Sequence, residues 1–248
     1  GLSMLIEVDG RRLLFDTGQT SAVCHNAKAL GIDLRRLDAI VLSHGHADHT
    51  GGLADVLQCS GPVDVYAHPE MWRERYACRS GQDPRAAGIP HARDELERLG
   101  VRFHLSDEPV HLWERVVTTG LVPMTTHFEK VDVGLKVRQG GGWTQDDVPD
   151  DQALIIRSDV GLVVVLGCAH RGIVNTILRA RQVAGDERVF AVLGGTHLGF
   201  APAEQIEEVI RFLATSGVQR LGASHCTGLA AAARLAQALP DKFFFNNV

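Results

Sequence analysis

Residues 40–52 read IVLSHGHADHTGG, and no other stretch of the chain limits its fold and chemistry as tightly. An apolar strand segment opens directly onto His44, His46, Asp48 and His49, with Gly45, Gly51 and Gly52 allowing tight backbone turns around them. Four groups with metal-binding chemistry therefore leave one loop at a strand end. At the chain's own His and Asp frequencies an HxHxDH run arises by chance roughly 0.002 times in a sequence of this length, so a set of merely solvated histidines is the poorer reading. In extended backbone, side chains at i and i+2 share a side; His44 and His46 can converge on one ion while Asp48 and His49 turn toward a neighbouring one. The helical HExxH arrangement is absent.

Imidazole and carboxylate donors without thiolate suit zinc, with manganese and iron as alternatives, and a catalytic ion keeps one position open. Further ligands have to come from later in the chain. Three segments there pass from an apolar run through small residues to a histidine: VVVLGCAHRG gives His170, FAVLGGTHLG gives His197 and RLGASHCTG gives His225. The C-terminal edge of a sheet is where α/β proteins assemble their sites. The histidines at 25, 68, 91, 104, 111 and 127 lack such a setting and read as surface or core residues.

Composition removes several classes of function. With 45% hydrophobic and 22% charged residues the 248-residue chain is globular. Its 25 Lys+Arg are dispersed among 30 Asp+Glu, a net charge of −5 that offers nucleic acid no basic face. No apolar run approaches the ~20 residues of a membrane span, and residues 1–9 lack the charged start of a signal peptide. Neither a membrane nor a nucleic acid is an expected partner; a small-molecule substrate is. Five scattered cysteines with no CxxC pair argue against a disulfide framework and for a reducing cytoplasm. The chain begins with Gly1 and stops within the strand-like 243–245 segment, so both ends are expected to be truncated.

Hydrophobic periodicity predicts a hairpin over 2–8 and 12–15, a helix capped by Thr20 or Ser21 and ending at Gly31, and a buried strand over 38–42. Strand and helix then alternate: helix 53–57, strand 63–67, helix 93–99, strand 101–105. Strands are expected at 116–122 and 131–137, and 139–151 (QGGGWTQDDVPDD) reads as a mobile loop, with Gly140–Gly142 and Trp143 either a lid or a plain connection. A hairpin over 153–157 and 162–166, helix 174–181, strand 189–193, helix 203–214, strand 219–223 and helix 230–239 complete the chain. Hairpins in each half plus βα alternation predict a layered α/β protein of two mixed sheets in a single domain spanning 1–248.

LLFDTG with Asp16, then SHGHADHTGG, then the later strand-end histidines together resemble the metallo-β-lactamase fold hydrolases over most of the chain. The resemblance implies a four-layer αββα sandwich. It implies that Asp16 orients the histidine loop without binding metal, that His44 and His46 hold a first ion, and that Asp48, His49 and His225 hold a second. Two departures stand out: no GHTxG third motif is present, 149–152 reading PDDQ, and the usual GD of the fourth motif is replaced by Gly167–Cys168. His170 is accordingly read as the first ion's remaining ligand, with Asp151 or Cys168 as candidates for the missing bridge.

GCAHRGIVN, GGTHLG and SHCTG are similar to a branch associated with dihydropterin and ribofuranosylaminobenzene phosphate chemistry. That similarity implies a substrate bearing a phosphate, for which His197 and the turn at Thr227 are the expected contacts. The expected activity is metal-dependent hydrolysis by activated water, with Asp48 as the residue that orients the nucleophile and relays its proton. A synthase directing condensation at the same metal, and a metal- or ligand-binding protein without turnover, are the alternatives.

Overall fold

The computed structural model describes residues 1–246. Backbone proximity divides the chain into two compact units, Gly1–Asp107 with Val133–Asp146, and Glu108–Asp132 with Asp147–Val248.

The first unit is built on a five-stranded mixed sheet in the order Met4–Val8, Arg11–Phe15, Ala39–Val41, Asp64–Ala67, Arg102–Leu105. Its opening hairpin turns at Asp9 and Gly10, both at positive φ, as the right-handed twist of a two-residue turn requires. The other strands pair in parallel. Helix Leu53–Ser60 places Leu53, Val56 and Leu57 in one core with Leu14, Ile40, Leu42 and Val65 of the sheet. Each such side chain removed from water contributes about 1.5–3 kcal/mol, which anchors the helix that follows directly on the histidine loop.

A second, fully antiparallel sheet in this unit was not expected from the sequence. It runs Gly142–Gln145, Leu135–Gln139, Arg75–Ala77, Arg85–Ala86. The reading of 139–151 as a mobile loop is therefore corrected. Gly140 and Gly141 form the hairpin turn, Trp143 lies edge-on to Tyr76 at 4.7 Å between ring centroids, and Asp146 is fully buried against Arg75.

The second unit carries a seven-stranded mixed sheet ordered Phe243–Phe245, Arg220–Ser224, Val189–Gly195, Gly161–Leu166, Ala153–Ser158, Val116–Thr118, His111–Trp113. The first four are parallel and joined by helices Ile173–Ala184, Ala203–Thr215 and Leu229–Ala238; the rest are antiparallel. Val164, Leu166, Val192 and Leu221 from the sheet share a core with Ile173, Ile177, Val209 and Leu235 from the helices. Each unit thus holds one mixed sheet with helices packed on it, the expected α/β pattern. Among the described residues no helix is long and apolar enough to cross a membrane.

Candidate metal centre

In the first unit the histidine loop is held by the segment that follows strand Arg11–Phe15. Asp16 sits at φ 60° and its backbone N–H donates to Val41 O at 2.9 Å. Thr17 then binds the carbonyl of His49 twice, through its N–H at 2.7 Å and its hydroxyl at 2.9 Å. Gly45 runs so close to helix Pro69–Trp72 that an added Cβ would lie 2.1 Å from the Met71 carbonyl and 2.5 Å from Arg75 Nη1. Only glycine fits there. The Arg75–Asp146 ion pair beneath it, 2.8 Å long, is fully buried.

Proton positions follow from the chemistry of Asp16. Its carboxylate accepts from Ser43 N–H at 2.7 Å, from Ser43 Oγ–H at 2.7 Å and from His49 Nδ1 at 2.6 Å. A carboxylate only accepts, so the His49 proton is on Nδ1 and the lone pair of the ring is on Nε2. Because Ser43 has given its hydrogen to Asp16, its oxygen accepts from His44 Nδ1 at 2.9 Å, which puts the lone pair of His44 on Nε2 as well. One carboxylate sets both tautomers, which is the outer-shell arrangement metal-ligating histidines use.

His44, His46 and His49 are buried and clustered. Their ring centroids lie 4.6 Å apart for His44–His46 and 4.2 Å for His44–His49. His46 is still extended, and Ala47–Thr50 then makes a single helical turn that carries Asp48 and His49. Asp48 is the open member, 38% exposed, with its carboxylate 3.6 Å from His49 Nε2. Two ligands of a tetrahedral ion with bonds of 2.0–2.2 Å stand roughly 3.3–3.6 Å apart. That separation and the Nε2 lone pairs fit a divalent ion.

In the second unit the parallel strands Gly161–Leu166, Val189–Gly195 and Arg220–Ser224 are neighbours, and their C-terminal ends present His170, His197 and His225. At each end a residue other than glycine turns the chain at positive φ: Ala169 at 50°, His197 at 53° and His225 at 54°. Such conformations cost of order 1–3 kcal/mol each and persist where the surroundings impose them, characteristically at functional sites. His170 is buried, with its ring 4.1 Å from that of His197.

Thiols join the donors here, where the sequence offers only Cys168, as a candidate for the missing bridge. Cys168, His197 and Cys226 each offer a donor atom within 4.8 Å of the others, a spacing that also fits a metal ion. A Cβ on Gly195 would meet the Gly167 carbonyl at 2.4 Å and Cys226 Sγ at 2.7 Å, so the glycine leaves the space the thiol occupies. His197 N–H donates to Cys226 Sγ at 3.2 Å. Burial works against charging His197, but Asp132 and Cys226 outweigh it and hold its pKa at about 9. For Cys226 burial opposes ionisation, while hydrogen bonding to Cys168 and His197 and the charge of His197 pull the thiol well below its ordinary range. Cys226 had no spacing signal in the sequence; its place beside His225 was the only clue. Thr227, expected at the substrate, is buried, its hydroxyl engaged with the N–H and hydroxyl of Thr196 at 3.2 and 3.0 Å.

Two buried carboxylates brace this side. Asp151, a candidate bridge by sequence, accepts from Arg171 N–H at 2.8 Å and so fixes the turn after His170. Burial pushes its pKa up to about 7 against that hydrogen bond. Glu129 accepts the N–H groups of Val174 and Asn175, both at 2.8 Å, at the start of helix Ile173–Ala184. Its pKa is also raised to about 7, by burial that exceeds the help of those donors.

The family model described as the metallo-beta-lactamase superfamily matches residues 1–142 of the chain, more than half of it. The chain belongs to the metallo-β-lactamase superfamily. It is 34% identical over 240 residues to 7,8-dihydropterin-6-methyl-4-(beta-D-ribofuranosyl)-aminobenzene-5'-phosphate synthase of Methanocaldococcus jannaschii, covering 93% of this chain and 82% of the relative. A solved structure described as a metal-dependent hydrolase of the beta-lactamase superfamily superposes with a TM-score of 0.79 at 29% identity, over 95% of this chain and 87% of the other. A diphosphatase of the PhnP family superposes with a TM-score of 0.52 at 17% identity, covering 99% and 82%, and shares the fold. The superfamily's fold implies divalent metal binding, in keeping with the donors of each unit.

Proposed function

We propose that this member of the superfamily is a metal-dependent hydrolase of a small, phosphate-bearing or pterin-like substrate, using one or two divalent ions with zinc foremost. The observation that carries the reading is the pair of tautomers fixed through Asp16 and Ser43, which offers His44 and His49 Nε2 as ligands beside the more open carboxylate of Asp48. Carried over from the superfamily, His44, His46 and His170 hold the first ion and Asp48, His49 and His225 the second. A bound divalent ion supplies Lewis acidity and lowers the pKa of coordinated water from 15.7 toward about 7. Asp48 orients the attacking water and relays its proton; a carboxylate beside a cation stays ionised and suits that role. Asp16 acts as a positioning residue by holding the histidine loop. His197 and the backbone at Thr227 contact the substrate's anionic group.

A second reading, a synthase directing condensation at the same residues, is favoured by the 34% identity to the dihydropterin-related synthase over 93% of the chain. The deciding experiment combines elemental analysis with product analysis on pterin and phosphate-ester substrates. His46→Ala is expected to abolish turnover and to remove at least one equivalent of metal while circular dichroism stays native, because the ligand lies on a loop. Unchanged metal content in that variant overturns the ligand assignment. Condensed products without hydrolysis establish the second reading. Tightly held metal with no turnover on phosphodiester, thioester or lactam substrates defines a binding protein instead.

A further inference from the structure

Apart from these donors, the first unit holds a pair of thiols that nothing in the metal chemistry uses. Cys24 lies in helix Ala22–Ala29 and Cys59 in helix Leu53–Ser60, and their sulfurs stand 2.9 Å apart. That is inside van der Waals contact and beyond a bond, since a disulfide closes at about 2.03–2.05 Å. Cys59 is exposed and Cys24 half-buried against the core. Both line a shallow groove of about 640 Å³ together with His25, Lys28 and Arg35, so a small oxidant reaches them.

We propose that Cys24 and Cys59 form a peroxide-responsive site that closes to an intramolecular disulfide. The Cys59 sulfur attacks hydrogen peroxide and breaks the O–O bond, giving a sulfenic acid and water. The Cys24 sulfur then displaces the oxygen from Cys59, forming the S–S bond and releasing a second water. Two thiols lose two electrons and two protons in all, and one peroxide is reduced to two waters. The order follows from the surroundings. Burial, the hydrogen bond with Cys59 and the charges of Cys59 and Asp55 push Cys24 up to about 12, so it keeps its proton while exposed Cys59 reacts first. Once Cys59 is a neutral sulfenic acid, two of those restraints on Cys24 are gone.

The bond would tie together the two helices that flank the metal-binding loop. Helix Ala22–Ala29 follows the Asp16 segment and helix Leu53–Ser60 begins directly after Gly52, so residues 24–59 form one closed loop containing His44, His46, Asp48 and His49. Closing a loop of this size restricts the unfolded chain.

The test treats full-length protein with hydrogen peroxide, alkylates the remaining thiols and maps the peptides by mass spectrometry. The expected result is a Cys24–Cys59 cross-linked peptide two hydrogens lighter than its parts, reversed by dithiothreitol, and a melting temperature roughly 5–10 °C higher in the oxidised protein. Cys59→Ser, at an exposed position, and Cys24→Ala should each abolish the cross-link and the shift. Alkylation of both cysteines after peroxide, or sulfinic acid on Cys59 with Cys24 still free, overturns the proposal. So does a cross-link that joins either one to Cys168 or Cys226.

Discussion

The donors of the first unit are neighbours in sequence, imidazole and carboxylate groups on one ten-residue loop, and the tautomers of His44 and His49 are set by a single carboxylate, Asp16. Those of the second unit come from three strand ends, include two thiols, and are aimed by backbone turns at positive φ. A contiguous loop can be positioned by hydrogen bonds to its own backbone. Groups far apart in the chain have to be positioned by the sheet that lines up their strands. Both carry backbone strain, at Asp16 in the first unit and at Ala169, His197 and His225 in the second, and both bury ionisable groups, Arg75 with Asp146 in the first and Asp151 and Glu129 in the second.

The largest effect expected from breaking this contrast is in the first unit. Asp146→Ala leaves Arg75 buried beneath Gly45 without its partner carboxylate and should destabilise that unit by about 3–5 kcal/mol, seen as a lowered melting transition and weakened metal binding. A stability change below about 1 kcal/mol would show that the pair does not support the loop.

The second unit should respond to pH. Glu129 has a folded pKa of about 7, raised from 4.5. Below pH 4.5 folded and unfolded chains are both protonated there. As pH rises toward 7 the unfolded chain releases its proton first, so the contribution is lost progressively, by at most about 3 kcal/mol. Asp151 titrates in the same direction. Glu129→Gln should flatten that part of a urea-denaturation profile between pH 4.5 and 7.5; an unchanged slope assigns the pH dependence to other groups.

Asp16→Asn gives the smallest and sharpest comparison. It removes no ligand, yet the His49 proton loses its carboxylate acceptor, and metal affinity should fall about 10–100-fold, measured by competition with a chelator. An affinity within a factor of two of the parent would mean that the loop holds its tautomers without Asp16.

Much of this was legible in the sequence. The histidine loop is contiguous, and the strand–glycine–histidine recurrence located three parallel strands that proved adjacent. The small antiparallel sheet was not legible. Arg75–Ala77 and Arg85–Ala86 are too short to show an alternating pattern, and glycines mask strand Gly142–Gln145. Arg75 and Asp146 lie 71 positions apart, so their pairing left no local trace. Cys226 escaped for a similar reason: its partners Cys168 and His197 are brought to it by strand order, which spacing along the chain does not encode.

Glu129 has one more consequence. The positive end of a helix ordinarily attracts anions from solution. In helix Ile173–Ala184 the chain has inserted a guest of its own, and the amides of Val174 and Asn175 are already satisfied. An anion arriving at that helix start finds the berth taken.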